Sequence, residues 1–123
     1  MREERALPPA HLLEEDYTYV GSEPLPVERY FDPAFFAREN ATVWKKTWQM
    51  ACRLEDIPKV GDHVIYDIND DSLVVVRTSA DEIRAYHNSC LHRGRRLRDR
   101  GGNVSQFRCP YHAFTWDLAG KSV

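Results

Sequence analysis

The chain has 123 residues, 42% of them hydrophobic and 29% charged, with a formal net charge of -2. That balance is the balance of one soluble globular domain with a small core and excludes a disordered tract or a membrane-embedded bundle; a nucleic-acid binder would be more basic. No apolar run is long enough for a signal peptide or a membrane span, so the protein is expected to be cytoplasmic.

Residues 1–30 are acid-leaning and interrupted by Pro8, Pro9, Pro24 and Pro26, and are expected to form an extended arm rather than a domain. FDPAFFARENATVWKKTW follows. Asp32 is placed to cap a helix whose first residue is Pro33, and Phe36, Val43, Trp44 and Thr47 recur near one face, which predicts a single amphipathic helix of about three turns. Arm and helix together, residues 1–46, precede a region of different period, 47–123. There WQMACRL, HVIYDI, SLVVVRT and IRAYHNS are short runs of β-branched and aromatic residues, parted by turn signals at 58–62, 69–71 and 79–81. QFRCPYH and AFTWDLAG continue them. The expected fold is mainly β, an antiparallel sandwich carrying two metal-binding loops.

Three cysteines without a secretion signal point to metal or redox chemistry rather than a disulfide framework. Cys90 and His92 are two apart, Cys109 and His112 three apart, and 16 residues separate the pairs, each pair in a loop after an expected strand. Short spacing lets one tight loop aim a thiolate and an imidazole to the same side, and two such loops can clamp a metal centre. A structural zinc ion takes the same two sulfurs and two nitrogens, although its ligands usually group cysteine with cysteine and histidine with histidine. Here they alternate, as a two-iron centre needs when one iron is held by thiolates and the other by imidazoles. Cys52 is expected to be a structural thiol in a strand, and His63 and His87 to be structural as well.

YHNSCLHRG followed by CPYHAFTWDLAGK resembles the Rieske 2Fe-2S domain, and more narrowly the large (alpha) subunit of Rieske non-haem iron oxygenases of the aromatic-ring-hydroxylating type. The resemblance covers about residues 27–123 and implies that Cys90 and Cys109 bind one iron of the cluster and His92 and His112 the other. Arg95 and Tyr111 stand where respiratory Rieske proteins have an additional disulfide-forming pair, which places the expected potential toward the low end of roughly -150 to +300 mV. Ala113 and Phe114 stand where the oxygenases commonly have Gly or Ala and then Trp.

The resemblance further implies electron transfer from a ferredoxin or flavin-dependent reductase and a homo-oligomeric oxygenase, with no nucleic-acid or membrane partner. Substrate oxidation in the family occurs at a mononuclear iron in a following domain. His87 and His92 share the H-x-x-x-x-H spacing of that iron's motif, but Arg84 stands where the motif has aspartate, so the match is rejected and no catalytic residue is assigned within the chain. The expectation is therefore the N-terminal part of an oxygenase involved in aromatic hydrocarbon catabolism, truncated before its catalytic domain. A free-standing Rieske ferredoxin is the alternative, disfavoured by the long lead before the first strand; a zinc module is the second. Arg93, Arg95, Arg96, Arg98 and Arg100 are expected to attract an acidic donor and to stabilise the charge of the reduced cluster, or to be a solvated loop.

Overall fold

A computed structural model describes residues 21–123. Most of the expected arm, residues 1–20, lies outside the described residues. Its remainder contains one 3-10 turn, Val27–Tyr30.

Helix α1 spans Pro33–Glu39. Asp32 caps it as expected, its Oδ1 accepting the Ala34 N–H at 2.9 Å. The helix is shorter than its sequence pattern suggests, because after Glu39 it widens into a single π-type turn, Asn40–Trp44. Asn, Thr and Val are poor helix formers, and the Thr42 hydroxyl donates to the Arg38 carbonyl at 2.6 Å, competing for the helical acceptor. No residue of either piece is buried, so the apolar stripe of the expected amphipathic helix is not covered within the described residues.

WQMACRL does not form the expected strand. Residues 48–53 are irregular, and Leu54–Asp56 form a 3-10 turn closed by the Asp56 carboxylate, which accepts the Arg53 N–H at 2.9 Å. Trp48 and Met50 are exposed, so the alternation that suggested a half-buried strand has no sheet beneath it.

The other expected strands form. β1 (Asp62–Ile68), β2 (Asp71–Arg77) and β3 (Ile83–His87) make an antiparallel meander, and β4 (Gly102–Asn103) adds two residues to the free side of β1, giving the order β3-β2-β1-β4. β5 (Gln106–Arg108) and β6 (Thr115–Asp117) pair as a second, two-stranded sheet. The architecture is mainly antiparallel β, as the residue pattern indicates.

β2 carries the core. Val74, Val75 and Val76 are all buried, because the central strand is covered on both faces, which is why SLVVVRT reads as continuous rather than alternating. Val74 is paired across the strands with Ile65 and Tyr86, and with Val76 and Phe107 it forms one apolar cluster, to which Val104 and Leu118 also pack. Fully burying each such side chain stabilises the fold by roughly 1.5–3 kcal/mol. Toward the opposite face lies a groove with Trp44, Gln49 and Ala51 on one side and Tyr66, Leu73 and Val75 on the other, bridged by the Tyr66 hydroxyl donating to Gln49 at 3.2 Å.

Two details pin the sheet to the loop that follows it. Gly61 has φ +87°, donates its N–H to the Arg77 carbonyl at 2.8 Å and accepts the Val104 N–H at 3.0 Å. A Cβ there would stand 2.1 Å from the Val104 carbonyl oxygen. Gly61→Ala is expected to cost at least about 2 kcal/mol, measured by denaturant unfolding, because strain at positive φ and a backbone clash add.

His63, in β1, is buried edge-on against Phe107, with ring centroids 5.5 Å apart. Burial holds its pKa below the ordinary histidine value, and the Arg98 guanidinium pushes the same way, while the Gly61 and Arg100 carbonyls offset part of the effect. The folded chain thus resists a proton that the unfolded chain accepts near pH 6.5. The associated stability is present above that pH and is lost as pH falls through it. The melting temperature of wild type is expected to fall more steeply between pH 7 and pH 5 than that of His63→Gln.

Candidate metal centre

Both donor pairs sit in loops built on the same main-chain pattern. In the first loop the Cys90 N–H donates to the Arg95 carbonyl at 2.8 Å and the Gly94 N–H returns to the Cys90 carbonyl at 2.8 Å. In the second the Cys109 N–H donates to the Phe114 carbonyl at 2.8 Å and the Ala113 N–H returns to the Cys109 carbonyl at 3.1 Å. The fourth residue after each cysteine is left-handed: Gly94 at φ +68° and Ala113 at φ +61°. Glycine adopts that conformation freely, whereas alanine is strained there.

The closed loops separate the donors by depth. Cys90 and Cys109 are 3% and 2% exposed and share an apolar cluster with Trp116, against which Leu97 packs. His92 and His112 are exposed, with ring centroids 5.0 Å apart and planes at 71°. Phe114 stacks on His92 at 4.7 Å, and Tyr111 leans on His112 at 4.0 Å, so each imidazole is braced by an aromatic ring. The structure therefore brings the two cysteines together in the interior and the two histidine rings together at the surface. Among the described residues, no three His, Cys, Asp or Glu side chains converge as they would around a single ion.

The Cys109 thiol is held toward easier ionisation by its surroundings. The backbone N–H of Tyr111 is the chief cause that holds its pKa below the ordinary thiol value, helped by the His112 N–H, the Cys90 thiol and the Arg95 guanidinium, while desolvation opposes them. All three cysteines are free of disulfides. Cys52 is only half-buried, and its thiol is pushed up in pKa by burial and by the Asp56 carboxylate, the reverse of a ligand's environment. His87 is exposed in β3.

The arginine run divides. Arg93, Arg95 and Arg100 are exposed, but Arg96 folds back to Asp67 on β1, with Nη2 at 2.9 and 3.2 Å from the two carboxylate oxygens. The Arg98 guanidinium lies 5.8 Å from the centre of the Phe107 ring. Two of the five residues thus fasten the loop to the sheet.

A residue that the sequence pattern does not single out organises the first loop. Asn88 is 3% exposed, and its side chain makes four hydrogen bonds, to Ser72, Leu97 and both the N–H and the carbonyl of Arg98. In the sequence it is one polar residue in a turn-like Asn-Ser pair. Its partners lie ten or so positions away on the chain, beyond what local periodicity reports.

The family model for the Rieske [2Fe-2S] domain matches residues 47–123, the stretch that holds both sheets and both loops. The chain belongs to the Rieske family. The chain is 36% identical over 102 residues to the glycine betaine monooxygenase oxygenase subunit of Chromohalobacter salexigens, covering 82% of this chain and 23% of that protein. It is 36% identical over 95 residues to the biphenyl 2,3-dioxygenase subunit alpha of Rhodococcus jostii, covering 76% and 21%. Among solved structures, naphthalene 1,2-dioxygenase from a Rhodococcus species bound to indole matches with a TM-score of 0.74 at 35% identity, over 80% of this chain and 23% of that one. A quaternary ammonium Rieske monooxygenase bound to an inhibitor matches with a TM-score of 0.76 at 26% identity, over 81% and 28%. The chain therefore spans 21% to 28% of the length of these relatives.

A Rieske domain is a 2Fe-2S domain, and the donor set fits that group. Two buried thiols share one apolar cluster, and two rings braced by aromatic neighbours stand together at the surface, a donor set of two sulfurs and two nitrogens. Replacing Ala113 by glycine relieves the left-handed strain that Gly94 avoids in the other loop. Ala113→Gly is expected to stabilise the protein by about 0.5–1 kcal/mol once glycine's greater unfolded-state freedom is subtracted, measured by thermal unfolding.

Proposed function

We propose that this chain is an electron-transfer domain in which Cys90 and Cys109 hold one iron of a 2Fe-2S cluster and His92 and His112 the other. The observation that carries this reading is the split of the donors by depth: thiols together under Trp116, imidazoles side by side at the surface. A four-coordinate zinc ion would require all four donors around one point.

When bound, the cluster supplies reversible one-electron chemistry. The protein's part is to hold donors and exclude water. Trp116 and Leu97 keep solvent from the sulfurs, the Tyr111 and His112 amides favour the thiolate of Cys109, and Phe114 and Tyr111 fix the ring planes. The edge presented to a partner is that of His92 and His112, among exposed Leu91, Tyr111 and Phe114 and the solvent-facing Arg93 and Arg95. This surface suits an acidic donor, a ferredoxin or a flavin-dependent reductase.

Within a longer protein, a Rieske domain over residues 47–123, preceded by an arm and helix over 1–46, would serve an oxygenase large subunit that hydroxylates its substrate at a separate mononuclear iron. The names of the relatives support this over a free-standing ferredoxin, since those described above are oxygenases or their subunits. They include enzymes named for biphenyl, naphthalene and glycine betaine, so aromatic hydrocarbon catabolism is one of at least two substrate classes open to such an oxygenase. No helix among the described residues is long and apolar enough to cross a membrane; the intact oxygenase is proposed to be cytoplasmic and homo-oligomeric.

Chain produced with iron and sulfur supplied is expected to be reddish-brown and to contain about two iron and two acid-labile sulfide per chain. Cys109→Ser is expected to lose most of both, and Cys52→Ser neither. Stoichiometric zinc in colourless wild-type protein rejects the reading.

A further inference from the structure

The two donor loops are alike inside and differ in how their ends are held. The second is a hairpin loop: β5 leads into Cys109, β6 leaves after Phe114, and Arg108 is paired with Thr115 across its base. Sheet hydrogen bonds close it. The first loop enters from β3, but its exit, residues 96–101, lies in no strand, so no ladder closes its base.

Asn88, the first residue after β3, occupies the position from which such a ladder would start. Its Oδ1 accepts the N–H groups of Leu97 at 3.1 Å and Arg98 at 2.9 Å, and its Nδ2 donates to the Arg98 carbonyl at 2.6 Å. The amide thus makes with the exit segment the exchange of donors and acceptors that a neighbouring strand's backbone would make. Its remaining bonds run to the sheet. Nδ2 donates to Ser72 Oγ at 3.1 Å, and the Asn88 N–H donates to the Ser72 carbonyl at 2.8 Å. Ser72 in turn hydrogen-bonds Asp67, which receives Arg96 from the same exit segment. Arg96 Nε also donates to the Arg98 carbonyl at 3.0 Å.

We propose that Asn88 is a positioning residue that replaces strand pairing at the base of the first loop and so sets where Cys90 and His92 stand relative to Cys109 and His112. Because Leu97 packs on the buried cysteine cluster and its N–H is held by Asn88, a shift of the exit segment changes the cover over both sulfurs. A carboxylate in place of the amide keeps the volume and the two acceptor contacts but loses both donors and sets negative charge against the Arg98 carbonyl. Alanine leaves the Leu97 and Arg98 N–H groups without their acceptor and takes one bond each from the Arg98 carbonyl and the Ser72 hydroxyl.

The inference rests on the ligand assignment proposed above, and the test separates the two. Wild type, Asn88→Asp, Asn88→Ala and Gly61→Ala are loaded with iron and sulfide, and each is examined for iron content, the electron-spin-resonance g-values of the reduced protein, the midpoint potential, and the rate of bleaching by a chelator. Gly61→Ala destabilises the fold away from the loop and serves as the control for a merely structural role. The expected result is altered g-values and midpoint potential in both Asn88 variants, with bleaching faster by roughly ten- to hundredfold, while Gly61→Ala keeps the wild-type g-values and potential. If Asn88→Ala does not fold, Asn88→Asp decides. Wild-type g-values and potential in loaded Asn88→Asp overturn the positioning role and leave the ligand assignment standing; wild type without iron overturns both.

Discussion

A cysteine N–H donating to a carbonyl five residues ahead, with an N–H four residues ahead returning to the cysteine's own carbonyl, is the constraint from which the site follows. It occurs twice, at Cys90 and at Cys109. Each closure forces a left-handed residue, Gly94 or Ala113, and leaves the cysteine inside the turn while the histidine two or three positions on is carried outside. Thiols sunk beside Trp116 and imidazoles braced by Phe114 and Tyr111 are consequences of that turn rather than separate inventions.

The sheets supply the distance between the turns. β2, buried along three consecutive valines, anchors the four-stranded sheet, and Phe107 of the small sheet packs directly on Val74 and Val76. Because Cys109 follows Phe107 by two residues, the packing that fixes the core also fixes one sulfur. The other sulfur hangs from β3, whose neighbour in the sheet is β2 and whose last residue precedes Asn88. One loop inherits its position from a hairpin, and the other from a side-chain amide and the Arg96–Asp67 pair.

What the sequence disclosed and what it concealed divide along the range of the interactions. The candidate donors were legible because Cys90, His92, Cys109 and His112 lie within two local spacings, and chemistry alone limits which metals such a set can hold. SLVVVRT was legible because a strand covered on both faces must be continuously apolar. WQMACRL carried the same residue types, but a strand exists only with a partner, and among the described residues none lies beside 48–53. The helix from Pro33 started where Asp32 said it would, yet its end was set by Thr42 and its neighbours rather than by the apolar stripe. Asn88 was invisible, since a hydrogen bond to residues nine and ten positions away leaves no periodic trace. The arginine run looked uniform in the sequence, whereas Asp67 and Phe107 draw two of its members inward.

The difference in depth between sulfur and nitrogen makes the site one-sided toward its surroundings. Small oxidants, chelators and competing metal ions arriving from solvent meet imidazole before thiol, so under the proposed assignment attack on a bound cluster would begin on its histidine side. A protein built this way keeps its most oxidisable side chains farthest from air, and exposes to collision the rings that oxygen harms least.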